Sequence, residues 1–185
     1  MINYLSELKV TSPLMLDDTL SLQIINKDNI SPAYIRWMND PEVVKYTEQR
    51  FVRTSVTDIK SYLQKMEDSP ADILFGIYQK SSHIGTVKLG AINIWHKTAV
   101  LSYLIGAKDQ WGKGIASRAI SEMTEIGFSV LGLDKIIAGV YANNTASARV
   151  LEKNNFELEG IRKSQFIFEN DRIDALLYGR RKLNG

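Results

Sequence analysis

The sequence predicts a mixed α/β domain built on one central sheet. Three observations predict it. The apolar residues change period along the chain, alternating through the middle third and returning to helical spacing after Trp111. The segments run strand, two helices, three strands, helix, strand, helix, two strands. With 44% hydrophobic residues in 185, the chain can bury a real core; a domain of this size hides roughly 70% of its extended-chain surface.

Leu20–Ile25 reads as a strand because Leu20, Leu22 and Ile24 alternate. Ser31-Pro32 opens a helix, with serine as N-cap and proline at the first helical position, and Tyr34, Ile35 and Met38 give it an apolar side. Asn39-Asp40-Pro41-Glu42 breaks that helix and predicts a second, short one. Thr57–Met66 carries Ile59, Tyr62, Leu63 and Met66 at helical spacing. Ile73–Gln79 and Ile84–Ile94 read as strands around a turn at residues 80–83, and Ala99–Ile105 as a third. Trp111–Leu131 predicts a long amphipathic helix through Ile115, Ala119, Met123, Ile126 and Val130. Lys135–Tyr141 is a β-branched strand, Asn144–Asn154 a helix with Ala148 and Leu151 inward, and Ser164–Glu169 and Ile173–Arg180 close the chain as strands. The sum is about seven strands flanked by helices. Residues 1–17 stand as an N-terminal extension and 18–185 as the domain.

Composition removes several classes. The absence of cysteine excludes disulfide scaffolds, thiolate metal sites and a cysteine nucleophile. Two histidines, His83 and His96, are too few for a multi-histidine cage, so no metal is expected. Lys and Arg total 23 against 21 acids, a net +2 that argues against a nucleic-acid partner. Met1–Val10 mixes Asn3, Glu7 and Lys9 with apolar residues and lacks a signal-peptide core. No run approaches the roughly 18 apolar residues of a membrane helix, so no membrane partner and a cytoplasmic location are expected. Monomer and homodimer both stay open.

Gln110-Trp111-Gly112-Lys113-Gly114-Ile115-Ala116 falls between a strand and a helix. Two glycines let the backbone turn tightly and approach a ligand closely. The free N–H groups and dipole of the following helix favour an anion, and Lys113 adds a positive charge. A pyrophosphate fits this pattern; a plain glycine turn before a helix fits it as well. A Walker loop needs four residues between its glycines, and a dinucleotide fingerprint needs a third glycine; neither is present.

Trp111-Gly112-Lys113-Gly114-Ile115-Ala116 resembles the pyrophosphate loop of the GNAT acetyltransferases, R/Q-x-x-G-x-G/A, in the WGKG form of the RimJ/RimL-like branch, with Trp111 where Arg or Gln is commoner. Asn144, Ser147, Glu152-Lys153 and Phe156, then Glu159-Gly160 and Arg162, resemble that branch's N-x-x-S…EK-x-GF…EG…R signature, with Asn155 in place of glycine. Trp37-Met38-Asn39-Asp40-Pro41-Glu42-Val43…Tyr46 is similar to its N-terminal helix and bend. The resemblance spans roughly residues 18–182.

The resemblance implies a splayed sheet with acetyl-CoA in the gap between the Ala99–Ile105 and Lys135–Tyr141 strands. Backbone groups near Leu104 and Ile105 would bond the pantetheine arm, and Trp111 and the amides of Gly112, Lys113, Gly114, Ile115 and Ala116 would hold the pyrophosphate. Asn144 would contact the pantetheine, and Ser147 would lie near the thioester sulfur. It also implies direct attack of an amine on the thioester, with a backbone N–H of the splayed strand as oxyanion donor. Two groups common in the family are missing: Val100 stands at the position of a glutamate base and Leu151 at that of a tyrosine acid. Ser147 is then the acid candidate, or a helix serine bonded to its own turn. Glu48, beyond the bend, and His96, before the splayed strand, are the base candidates; a solvated loop charge and an exposed hairpin histidine are the plainer readings. His83 sits in a polar turn and is left out. Trp37, Asn39, Tyr46, Glu48, Trp95 and Tyr178 are expected to wall the acceptor pocket, Tyr178 being equally readable as a core tyrosine.

An acetyl-CoA-dependent N-acetyltransferase is therefore expected. Its acceptor is expected to be a small-molecule primary amine, such as a nucleotide-linked amino sugar. Glu152–Gly160 and Asn93–Lys97 are similar to PseH-type amino-sugar N-acetyltransferases, and Phe166 stands where RimL-type enzymes place a glutamate. The alternatives are the α-amino group of a ribosomal or other protein, and a non-catalytic acyl-CoA-binding domain. Arg162, Lys163, Arg180, Arg181 and Lys182 make the C-terminal segment basic, which an acidic acceptor would also use.

Overall fold

The structure, a computed structural model, describes residues 13–183. It contains one open sheet of eight strands: β1 (Leu14–Met15), β2 (Leu20–Ile24), β3 (Ile73–Gln79), β4 (Ser82–Asn93), β5 (Thr98–Ile105), β6 (Lys135–Tyr141), β7 (Glu157–Phe168) and β8 (Asp171–Arg181). The spatial order is β1-β2-β3-β4-β5-β6-β8-β7. Every neighbouring pair is antiparallel except β5 and β6, which run parallel. Four helices flank the sheet: α1 (Pro32–Trp37), α2 (Val56–Asp68), α3 (Ile115–Glu125) and α4 (Thr145–Lys153).

Each face of the sheet carries its own apolar cluster. On one, Leu22, Phe75, Ile77, Val87, Leu89 and Leu101 meet Ile115, Ala119, Ile120 and Met123 of α3 and Leu151 of α4. On the other, Tyr34 and Trp37 of α1 meet Ile59 and Leu63 of α2 over Leu74. The helix starts follow local chemistry. Ser31 Oγ accepts from the Tyr34 amide to cap α1, and Ser55 and Asp58 form a reciprocal capping box on α2.

Several elements differ from expectation. The eighth strand, β1, lies within the expected extension at residues 1–17; residues 1–12 of that extension lie outside the described residues. The segment after Asn39 forms turns and only a short 3-10 helix at Glu48–Phe51, and Asn39 bonds both backbone groups of Thr54 beyond it. The long helix begins at Ile115, since Gly112 and Gly114 take φ of 76° and 75°, and its last turn, Ile126–Val130, widens to a π-helix. The penultimate strand begins at Glu157, seven residues before the expected Ser164. It is the sheet edge, mostly exposed and bulged twice, so its side chains carry no alternation. No described helix is long and apolar enough to cross a membrane.

Candidate active site

The parallel joint between β5 and β6 is short. Only Thr98–Val100 pair with Lys135–Ile137, and beyond Val100 the strands part. Backbone direction in the opening follows from register. The Gly106 amide donates to the Ile84 carbonyl at 3.0 Å, so antiparallel alternation turns the groups of Leu104 and Ser102 toward β4 and those of Tyr103 and Ile105 toward the gap. On β6 the Lys182 amide donates to the Asp134 carbonyl at 2.9 Å, which by the same alternation turns Gly139 and Tyr141 to the gap. Of the two residues expected to present backbone there, Ile105 does and Leu104 does not. Tyr103 takes its place.

The glycine loop follows directly. Gly114 is the N-cap of α3, no side chain caps that helix, and a Cβ on Gly112 or Gly114 would meet nothing within 4 Å. The first amides of α3 have no side-chain cap and the loop before them is open, the arrangement that receives an anion. Lys113 donates to Gln110 Oε1 at 3.3 Å and is paired with no carboxylate among the described residues. Ile115 is a core residue that offers only its backbone, whereas Ala116 is half-buried. The Trp111 indole N–H is committed to the Ile105 carbonyl at 2.7 Å, so Trp111 ties the loop to the end of β5.

Asn144 Oδ1 caps α4 by accepting the Ser147 amide at 3.2 Å. Ser147 Oγ does not bond back to its own turn. It lies 2.7 Å from the Tyr103 hydroxyl, across the opening. Burial raises the Tyr103 pKa, partly offset by this bond. Leu151 is fully buried beneath α4, and Val100 sits at the last paired step of the joint.

On the opposite face, the segment after α1 folds against the end of β6 and the β7–β8 hairpin. Glu48 Oε1 accepts the Tyr141 hydroxyl at 2.5 Å. Burial, then this carboxylate, pushes the Tyr141 pKa up to about 12, so the phenol stays protonated. Tyr141 stacks on Phe166 at 3.8 Å between ring centres, and Tyr46 stacks on Phe168 at 5.4 Å. The Arg50 guanidinium lies over the Tyr141 and Phe168 rings at 5.0 and 5.2 Å. Lys108, beyond β5, holds the segment through Asp40 at 2.9 Å and Glu42 at 3.0 Å.

The other expected site residues go elsewhere. Asn39 spends its amide on the Ile35 carbonyl and on both backbone groups of Thr54, which ties the bend together. Trp37 is buried against Gly106, where a Cβ would come within 2.0 Å of its ring, so it docks α1 onto the end of β5. Tyr178 is a core residue whose hydroxyl donates to Glu152 at 2.9 Å. Trp95 and His96 occupy the exposed turn at the closed end of the β5–β6 joint, the far end of β5 from the loop. His83, expected in a polar turn, is buried on β4, with Nδ1 2.7 Å from Ser31 Oγ and Nε2 2.8 Å from the Gly85 carbonyl. Burial lowers its pKa to about 4. Sequence reading missed Tyr103 and Tyr141. Their only signal was position, at the gap-facing steps of the two strands that part.

Residues 20–157 match the acetyltransferase (GNAT) domain family. The probable N-acetyltransferase YjcK of Bacillus subtilis is 31% identical over 185 residues, covering 94% of this chain and 93% of that protein. RimL, a ribosomal protein alpha-N-acetyltransferase solved with coenzyme A, superposes with a TM-score of 0.83 at 19% identity over 92% of this chain and 98% of that one. The spermidine N-acetyltransferase of Vibrio cholerae, solved with CoA and spermine, gives 0.80 at 22% identity over 89% and 96%. With its glycine loop, its parted strands and a family match across most of its length, the chain belongs to the GNAT acetyltransferase family.

Proposed function

We propose that the protein is an acetyl-CoA-dependent N-acetyltransferase that transfers acetyl directly to the primary amine of a small molecule, such as a nucleotide-linked amino sugar. The observation that carries this reading is the gap itself. The backbone of Tyr103 and Gly139 and the amide of Ile105 face it with no strand alongside, and it ends on the uncapped N-terminus of α3. An extended ligand with amides and a terminal pyrophosphate satisfies both features. Bound there, acetyl-CoA supplies an activated acetyl thioester.

The chain's own groups divide the remaining work. The amides of residues 112–116 hold the pyrophosphate, and the Tyr103 and Ile105 backbone aligns the arm. The open N–H groups of β5 are the donors available to a developing oxyanion. Ser147 Oγ holds a proton on one side of the gap, oriented by Tyr103. Glu48, held by Tyr141, is the carboxylate available to take a proton from an amine on the other side. Positioning of this kind can supply roughly 7–11 kcal/mol of the barrier.

Release of CoA thiol from acetyl-CoA in the presence of amino sugars, polyamines and N-terminal peptides tests the reading. Turnover with amino sugars is expected. Turnover with peptides alone replaces the acceptor by a protein α-amino group, the activity that the name of RimL carries. Tight acetyl-CoA binding without any turnover makes the protein a non-catalytic acyl-CoA-binding domain.

A further inference from the structure

A cavity of about 770 Å³ opens beside the aromatic cluster, between the segment that follows α1 and the tip of the β7–β8 hairpin. Three of its lining residues are cationic, Lys45, Arg50 and Arg53, and one is acidic, Glu169. None of the three cations has a carboxylate partner among the described residues, although acids are near in sequence. Asp40 and Glu42 are committed to Lys108, and Glu48 accepts from Tyr141. Arg50 donates to the carbonyls of Lys45 and Ile167, yet its Nε is buried without a hydrogen-bond partner. Lys45 and Arg50 both lie over the Phe168 ring, at 5.4 and 5.2 Å. The cavity thus holds three cationic side chains against the single carboxylate of Glu169, an excess of positive charge beside the Phe168 ring.

We infer that this cavity is the subsite for an oxyanion carried by the acceptor, a phosphate or carboxylate group, and that the enzyme selects anionic amines over cationic polyamines. The inference rests on the acetyltransferase reading above and names the acceptor class. Arg50 connects the two regions. Its guanidinium lines the cavity and also lies 5.0 Å from the Tyr141 ring, whose hydroxyl holds Glu48. An acceptor anchored by its anion in the cavity projects its amine along that face toward Glu48 and the gap. A polyamine brings only positive charge to the same surface, and like charges repel.

The test uses amines that differ mainly in the anion: glucosamine against glucosamine 6-phosphate for phosphate, and glucosamine against muramic acid for carboxylate, with spermidine as the cationic control. The expected result is a kcat/KM about tenfold or more above glucosamine for at least one anionic partner, the scale of a charge-assisted hydrogen bond. Whichever partner gains identifies the oxyanion. In Lys45→Glu and Arg53→Glu that ratio falls toward one, and added salt lowers it in the wild type. Equal kcat/KM within both pairs, or a preference for spermidine, overturns the inference while leaving the acetyltransferase reading intact. Calorimetric titration with acetyl-CoA, run on every variant, reports separately on that reading and on the fold. Should no amine turn over, titration with glucosamine 6-phosphate and muramic acid against glucosamine decides: binding of neither anionic compound beyond the neutral sugar overturns the subsite.

Discussion

The Tyr103 hydroxyl sits 2.7 Å from Ser147 Oγ and 3.5 Å from the Ser147 carbonyl, tying β5 to the first turn of α4 across the parted strands. With Tyr103 as donor, the Ser147 proton is free to point into the gap. Ser147→Ala is expected to lower kcat by roughly a hundredfold, the low end for a dedicated acid. Tyr103→Phe is expected to lower it about tenfold with the KM for acetyl-CoA little changed, because Tyr103 positions Ser147 and does not itself deliver the proton. In the double variant the Tyr103 effect should vanish. Steady-state rates of the four proteins measure this, and simple additivity would rule out the coupling.

Glu48 and Tyr141 form a second such pair, 93 residues apart, on the face proposed for the acceptor. Glu48→Gln removes the carboxylate while keeping an oxygen for the Tyr141 hydroxyl, and should reduce kcat by roughly a hundredfold. Tyr141→Phe leaves the carboxylate unheld and should cost about tenfold. Rates with saturating acetyl-CoA separate these effects from cofactor binding. A Glu48→Gln enzyme of full activity would remove Glu48 from the chemistry.

Gly114 separates binding from folding. Its φ of 75° disfavours a side chain by about 1–2 kcal/mol, yet a Cβ there meets nothing within 4 Å. Gly114→Asp is expected to fold with that modest loss, read as a lowered melting temperature. Its carboxylate, set at the helix N-terminus, should weaken acetyl-CoA binding by roughly a hundredfold or more in titration calorimetry.

The pH dependence of stability should carry the mark of His83. Its pKa falls from 6.5 when unfolded to about 4 when folded, because burial disfavours the charged ring. Between those values the unfolded chain binds the extra proton, so stability is complete above pH 6.5 and declines as pH falls toward 4. The loss is on the order of 3 kcal/mol. Urea titrations from pH 4 to 8 read it, and His83→Phe should remove that part of the slope whatever its effect on stability at neutral pH.

These pairs also mark where sequence reading stops. The glycine loop was legible because its chemistry is local: two glycines, a lysine and a helix start lie within a few residues. Tyr103 with Ser147 and Glu48 with Tyr141 were not, since their partners are 44 and 93 residues away and meet only through the fold. Asn39 was legible as part of a bend, but its amide turns to Thr54, 15 residues on, instead of to an acceptor. His83 looked like a turn residue among serines until Ser31, 52 residues earlier, and the rings of Tyr78 and Trp37 enclosed it. The first half of the edge strand β7, before Ser164, exposes nearly every side chain, so no periodicity announced it.

The joint of three residue pairs at Thr98–Val100 has a consequence for breathing of the molecule. It is the one seam between two antiparallel ribbons, β1–β5 and β6–β8, and the amides of Tyr103, Ile105 and Gly139 hang along it unprotected. In the free protein these protons should exchange with deuterium far faster than those of the Leu104 or Ala138 amides beside them, which face a partner strand. A ligand lying in the seam acts as the missing ninth strand. Protection appearing at those three amides, and spreading to both ribbons, would report that the ribbons have been stitched into one cooperative unit.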